Sequence, residues 1–244
     1  RHQIFPGIAG RLWSRAGRTL TQGISAPRYD GKGLDKVLKK TFGQTTLGQA
    51  RVPVLVTSYD TIGREPVIFK SFKPEHAGLP MWEACRASAS APTYFPAHGM
   101  TVEGRRRALI DGGLVANNPT ACAIAEALRK DARVDNAHDL VVLSVGSGER
   151  NRPIDLKSAQ EWGALEWAVP IIDVLFDGNT DSVDYIARHL VGDGYFRMQA
   201  ELVIGLDDLD DVSSTNIAAL EIVAANHLAR ADTRSMLATL AGRL

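Results

Sequence analysis

The sequence has little cysteine, no net charge and no long apolar run, and each shortage closes off a class of protein. Its two cysteines, Cys85 and Cys122, cannot make a disulfide framework or a zinc cluster. Both sit among small apolar residues and read as buried free thiols. With 28 basic and 28 acidic residues the formal net charge is zero, so the basic footprint of a nucleic-acid binder is missing. No stretch approaches the roughly twenty apolar residues that a membrane span requires. The histidines are scattered, with no His-x-x-x-His spacing to hold zinc. Asp207, Asp208, Asp210 and Asp211 lack the glycine and distal glutamate of a calcium loop, and they read as a solvated turn ahead of a helix. No metal and no other cofactor is expected. A Gly-x-Ser-x-Gly nucleophile elbow is also missing. Gly23-Ile24-Ser25-Ala26-Pro27 lacks the closing glycine and has no apolar strand before it. Gly146-Ser147-Gly148 follows a strand in the wrong register, and it lacks the lysine of a phosphate-binding P-loop.

What is present reads as α/β. A chain of 244 residues is long enough for one such domain with a real core. Residues 1–28 show little periodicity. Ile4, Phe5, Ile8, Leu12 and Trp13 form a short apolar face there, either packed on the core or facing a membrane beside Arg11, Arg15 and Arg18. Helical spacing runs over 31–42. Pro53 to Tyr59 and Arg64 to Phe72 read as strands joined at Asp60-Thr61-Ile62-Gly63, where Asp60 is a turn residue and no catalytic acid. Pro80 to Ser90 predicts a helix with a smooth alanine face, on which Ser88 and Ser90 serve packing and backbone hydrogen bonds. Met100 to Glu103 and Arg107 to Ile110 predict a hairpin around Gly104, with Arg105, Arg106 and Arg107 in a solvated loop. Leu140 to Val145 is the continuous apolar strand of a parallel sheet. Beyond Ser158 the chain turns helical. Trp162, Leu165, Trp167, Val169, Ile171, Ile172, Leu175 and Phe176 make one apolar block, helices follow over 181–191 and after Ser213-Ser214-Thr215, and Ile217, Leu220, Ala224 and Leu228 share a face of the last one.

The chain is organised around Arg107-Ala108-Leu109-Ile110-Asp111-Gly112-Gly113 and the Asn117-Asn118-Pro119 that follows. A short strand stops at a carboxylate, and a helix starts soon afterwards. Asn118 suits the N-cap, and Pro119 suits the first helical position, where its missing N–H costs nothing. Asp111 thus falls at the carboxyl end of a strand, where open α/β sheets keep their ligands. Gly112 and Gly113 permit unusual backbone angles or the close approach of another group.

This stretch resembles the aspartate motif of the patatin-like phospholipases. Trp82 to Pro96 and the strand Val141 to Gly148 also resemble segments of that family, and Tyr195-Phe196-Arg197-Met198-Gln199 looks like a late segment of bacterial members. The resemblance implies a three-layer α/β/α fold with a mostly parallel central sheet and a helical C-terminal region. It implies a lipid acyl hydrolase that cleaves carboxylic esters of phospholipids or related acyl lipids through a serine–aspartate dyad. Asp111 would be the aspartate, with Gly112, Gly113 and Asn117 lining the site. The family's oxyanion loop and serine elbow precede the part matched. Residues 1–244 are therefore expected to be a single patatin-like domain without that N-terminal portion, and inactive alone. A catalytically inactive scaffold or regulatory module is the alternative. Expected partners are an acyl-ester lipid, a membrane surface touched peripherally, and an activator or second copy, with no nucleic acid. The expected location is cytoplasmic or at the membrane periphery, or outside the cell as a secreted effector.

Overall fold

A computed structural model describes residues 3–5, 26–130, 134–149, 153–167, 170–202 and 210–244. Expectations for Ile8, Leu12, Trp13, Ser25, Val169, Asp207 and Asp208 lie outside the described residues, as does that for the Ile172 side chain. The chain divides into two compact units, Arg1–Ala116 and Asn117–Leu244.

The first unit holds helix α1 (Lys32–Phe42), strands β1 (Leu55–Asp60) and β2 (Glu65–Lys70), and the short helix α2 (Pro74–Ala77). Helix α3 (Met81–Ser88), strands β3 (His98–Val102) and β4 (Arg105–Asp111), and the one-turn helix α4 (Gly113–Ala116) follow. The strands form one sheet in the order β2-β1-β4-β3, and every pairing in it is antiparallel. That differs from the mostly parallel sheet expected. For the two outer pairs the cause is connection length, because parallel neighbours need a crossover of a dozen or more residues. β1 and β2 are joined over 61–64, and β3 and β4 over Glu103 and Gly104 alone. Those two residues have φ of 52° and 74°, the double left-handed geometry of a type I′ hairpin turn, so the hairpin around Gly104 forms as expected. Leu47, Phe69 and Leu109 are fully buried between this sheet and Ala84 and Ala87 of α3. Burying a side chain such as Phe69 contributes about 1.5–3 kcal/mol.

Arg107 corrects the expectation of a solvated arginine loop. It is only 7 % exposed, and its Nη1 donates to Asp60 Oδ2 at 3.3 Å and to Glu65 Oε1 at 2.6 Å. Strand alternation explains this, since Arg106 on the other face is exposed. The cysteines are free, but they are half-buried rather than buried.

The second unit begins with α5 (Thr120–Lys130) and strand β5 (Val142–Val145), followed by α6 (Leu156–Glu161) and α7 (Ala164–Trp167). The long helix α8 (Pro170–Val191), strand β6 (Tyr195–Met198), α9 (Ser214–Ala229) and α10 (Ala231–Ala241) complete it. β5 and β6 pair in parallel, and this is the parallel pairing between named strands among the described residues. Ile124, Ala137, Ala187, Val191 and Tyr195 form its core. The expected apolar block is no core, since Leu165 is 88 % exposed and Leu175 is also exposed. Trp162 and Trp167 meet edge to face at 5.3 Å. The helix expected over 181–191 starts eleven residues earlier, at Pro170. Ser213 caps α9, its hydroxyl accepting from Asn216 N at 3.1 Å.

Candidate active site

Asp111 is the last residue of β4 and lies opposite Ser58 of β1. Its own N–H donates to Ser90 O at 3.1 Å, and the next N–H, of Gly112, donates to Ser88 O at 3.1 Å. The end of β4 is thus tied to the end of α3. Ser58 fixes the residue before it, its hydroxyl donating to Ile110 O at 2.6 Å. The carboxylate is held as well, because Gly113 N–H donates to Asp111 Oδ1 at 2.7 Å. The second oxygen, Oδ2, has no hydrogen-bond partner among the described residues. Burial lifts the Asp111 carboxyl above the ordinary aspartate range, and the Gly113 hydrogen bond opposes that lift. A fixed carboxylate with one open oxygen and an enhanced appetite for a proton is suited to act as a general base.

The two glycines do not serve through unusual backbone angles, for neither has a positive φ. Gly112 is required by space. A Cβ there would stand 2.2 Å from Thr57 O and 2.4 Å from Thr57 Oγ1. Gly112 O then starts α4, accepting from Val115 N at 3.1 Å and Ala116 N at 2.9 Å.

Arg86 supports the α3 end from below. It is buried, its Nε donates to Asp35 Oδ1 at 2.7 Å, and its Nη1 donates to the Ser90 hydroxyl. The Ser90 hydroxyl in turn donates to Arg86 O at 2.8 Å, so Ser90 has the packing role expected of it. Arg86 was missed in the sequence because its partner lies fifty-one residues away. Asp60 is the turn residue expected, accepting Ile62 N at 3.0 Å, but it is also buried and accepts Ala108 N at 3.2 Å.

Asn117 opens the second unit and is tied to α8. Its N–H donates to Asn179 Oδ1 at 3.1 Å, and its Nδ2 donates to Thr180 Oγ1 at 2.9 Å. Asn118 caps α5 as expected, its Oδ1 accepting Thr120 N at 3.2 Å. Pro119 O accepts Ala123 N at 3.1 Å, which places Pro119 in the first turn. No cluster of three or more His, Cys, Asp or Glu side chains among the described residues could hold a metal ion. No helix among them is long and apolar enough to cross a membrane.

Residues 5–124, which include the whole Asp111 assembly, match the family model described as Patatin-like phospholipase. Over this segment the chain is similar to that family. Patatin-like protein 3 of Arabidopsis thaliana is 32 % identical over 75 % of the chain and 48 % of that relative. Patatin-like protein 2 of the same plant is 29 % identical over 84 % of the chain and 56 % of its own length. Patatin-07 of Solanum tuberosum is 31 % identical over 84 % of the chain and 60 % of the relative. The chain spans about half the length of these curated relatives. The patatin-like match agrees with the α/β class, with helices and a sheet in one chain.

Proposed function

We propose that this chain is the Asp111-bearing part of a lipid acyl hydrolase that cleaves carboxylic esters of phospholipids or related acyl lipids. The observation that carries the reading is the Asp111 carboxylate: one oxygen is pinned by Gly113, the other is open, and burial favours its protonated form. The serine of the dyad comes from polypeptide outside residues 1–244, which we take as a patatin-like domain without its oxyanion loop and elbow. The serine hydroxyl passes its proton to Asp111 as its oxygen bonds to the acyl carbon, giving a tetrahedral oxyanion; as this collapses to an acyl-serine, the proton passes from Asp111 to the departing alcohol. Water then gives a proton to the restored carboxylate and adds to the acyl carbon, and that proton returns to the serine oxygen as the fatty acid is released. Backbone N–H donors on the missing loop stabilise both oxyanions. Gly112 and Gly113 shape the strand end, and Asn117 fixes the start of the second unit. Peripheral contact with a membrane follows from the substrate, and the Tyr195–Gln199 segment is the basis for placing the protein with bacterial members. An activator or a second copy are further partners of this reading.

The test is Asp111→Asn in the intact protein. Hydrolysis of a generic acyl ester should fall at least about a hundredfold, the lower range for losing a positioned base, with the fold retained. Residues 1–244 alone should take no label from a fluorophosphonate probe. Full turnover by a folded Asp111→Asn protein would favour the alternative, an inactive scaffold or regulatory module.

A further inference from the structure

The second unit carries a polar cluster for which neither its core nor the proposed hydrolysis has a use. It lies at the carboxyl ends of β5 and β6, the place where α/β proteins bind ligands. Ser144 of β5 and Arg197 of β6 are register partners, and Arg197 Nη1 donates to Ser144 Oγ at 3.0 Å. The start of the eleven-residue helix α5 packs onto this pair. Thr120 Oγ1 donates to Asn118 Oδ1 at 2.6 Å and lies 2.9 Å from Ser144 Oγ, which is itself 3.3 Å from Asn118 Oδ1.

Three features of the cluster are unbalanced, one of them the buried Gln199 Oε1, an acceptor with no donor among the described residues. Asn118 is 3 % exposed, and its oxygen is committed to Thr120 N–H, which fixes the amide orientation and leaves Nδ2 a buried donor with no acceptor. An unmade hydrogen bond of this kind costs about 1–3 kcal/mol. The third feature is the Arg197 charge, which has no carboxylate within ion-pair distance among the described residues. Asp184, joined to the cluster through the Tyr195 hydroxyl at 2.8 Å, is already paired with Arg188 Nε at 2.8 Å. Gly146 borders the same spot. A Cβ there would stand 3.0 Å from Arg197 Nη2 and would collide with Gln199 Oε1.

A buried amide donor, an arginine without a carboxylate and a helix N-terminus all call for the same complement, an anion. We infer that the end of the β5–β6 pair is a binding site for a phosphate group. Asn118 Nδ2 and the Arg197 guanidinium donate to its oxygens, and the α5 dipole adds to the attraction. A phosphate group offers three or four acceptor oxygens, enough for a donor from a strand and one from a helix start together. The group is a free phosphate or a phosphomonoester headgroup presented by a lipid.

Titration calorimetry of the full chain with inorganic phosphate at low salt tests the site. One saturable site is expected on the wild type, weakened at least about tenfold in Arg197→Gln and in Asn118→Asp. Asn118→Asp keeps the helix cap and adds a repelling charge, so it decides alone if Arg197→Gln fails to fold. Co-sedimentation with vesicles of phosphatidic acid in phosphatidylcholine separates the two sources. Capture that phosphate competes away assigns the headgroup, and phosphate binding without capture assigns the free ion. No saturable binding in either arm, or binding unchanged in the folded variants, overturns the inference.

Discussion

At the scale of single residues, the proposed role of Asp111 sets chemistry against stability. Its carboxyl is buried enough to hold a proton more tightly in the folded chain than in the unfolded one, where the value is about 3.9. A group raised in this way favours folding once pH falls through its folded value, and its ionised form costs stability at neutral pH. Asp111→Asn keeps an oxygen for Gly113 N–H and removes the charge. Its urea midpoint at neutral pH should therefore equal or exceed that of the wild type, and the difference should shrink toward acid. A variant markedly less stable at neutral pH would show that the ionised carboxylate holds the fold. Activity of the intact protein should run the other way, since a base must be unprotonated, and its acid limb should lie above the ordinary aspartate value. Arg107 is the opposite case, a charge kept for structure. Removing it in Arg107→Ala leaves Asp60 buried without its partner, and a loss of about 3 kcal/mol is expected in urea unfolding. The pair with half-exposed Glu65 adds little. A loss under about 1 kcal/mol would return Arg107 to the solvent, where its sequence alone had put it.

At the scale of elements, the aspartate depends on how closely β4 passes β1. Gly112→Ala drives a methyl into the Thr57 backbone and should cost about 1–3 kcal/mol, read as a lower thermal midpoint. Gly78→Ala is the control, because a Cβ there meets nothing within 4 Å, and it should be neutral or slightly stabilising. An equal response from the two would mean that the strand end yields easily. The elements legible in the sequence are those set by neighbours along the chain. The Gly104 hairpin and the Asn118 cap with Pro119 both follow from local turn and cap chemistry. Strand direction is not local in that sense. The apolar run of Leu140 to Val145 signals a parallel strand and yields one at Val142–Val145, whereas the β1–β2 and β3–β4 pairs are joined too briefly to be parallel, and the antiparallel β1–β4 pairing joins strands far apart in sequence. The carboxylate and its glycines were legible as well, because a strand, an aspartate and two small residues are contiguous. The carbonyls of Ser88 and Ser90, the Arg86 brace and the crowding by Thr57 were not, since each joins positions far apart in sequence.

At the scale of the whole molecule, the two units hold their cores very differently. The first keeps Phe69, Leu47 and Leu109 fully out of water around a four-stranded sheet. The second rests on a two-stranded parallel pair, of which Leu143 is 44 % and Val145 66 % exposed. Parallel strands are ordinarily covered on both faces, so this pair is the thinner of the two structures. Heating should open the second unit first. Trp162 and Trp167 report on that unit and Trp82 on the other, so fluorescence from single-tryptophan variants should give separate transitions. Coincident transitions would show one cooperative block. Amide hydrogens of β1 and β4 should be the last to exchange, and those of β5 should be lost to deuterium well before them. A melting temperature for this protein would then belong to the probe that measured it, and a substitution in β5 could leave the sheet that carries Asp111 unaware of the damage.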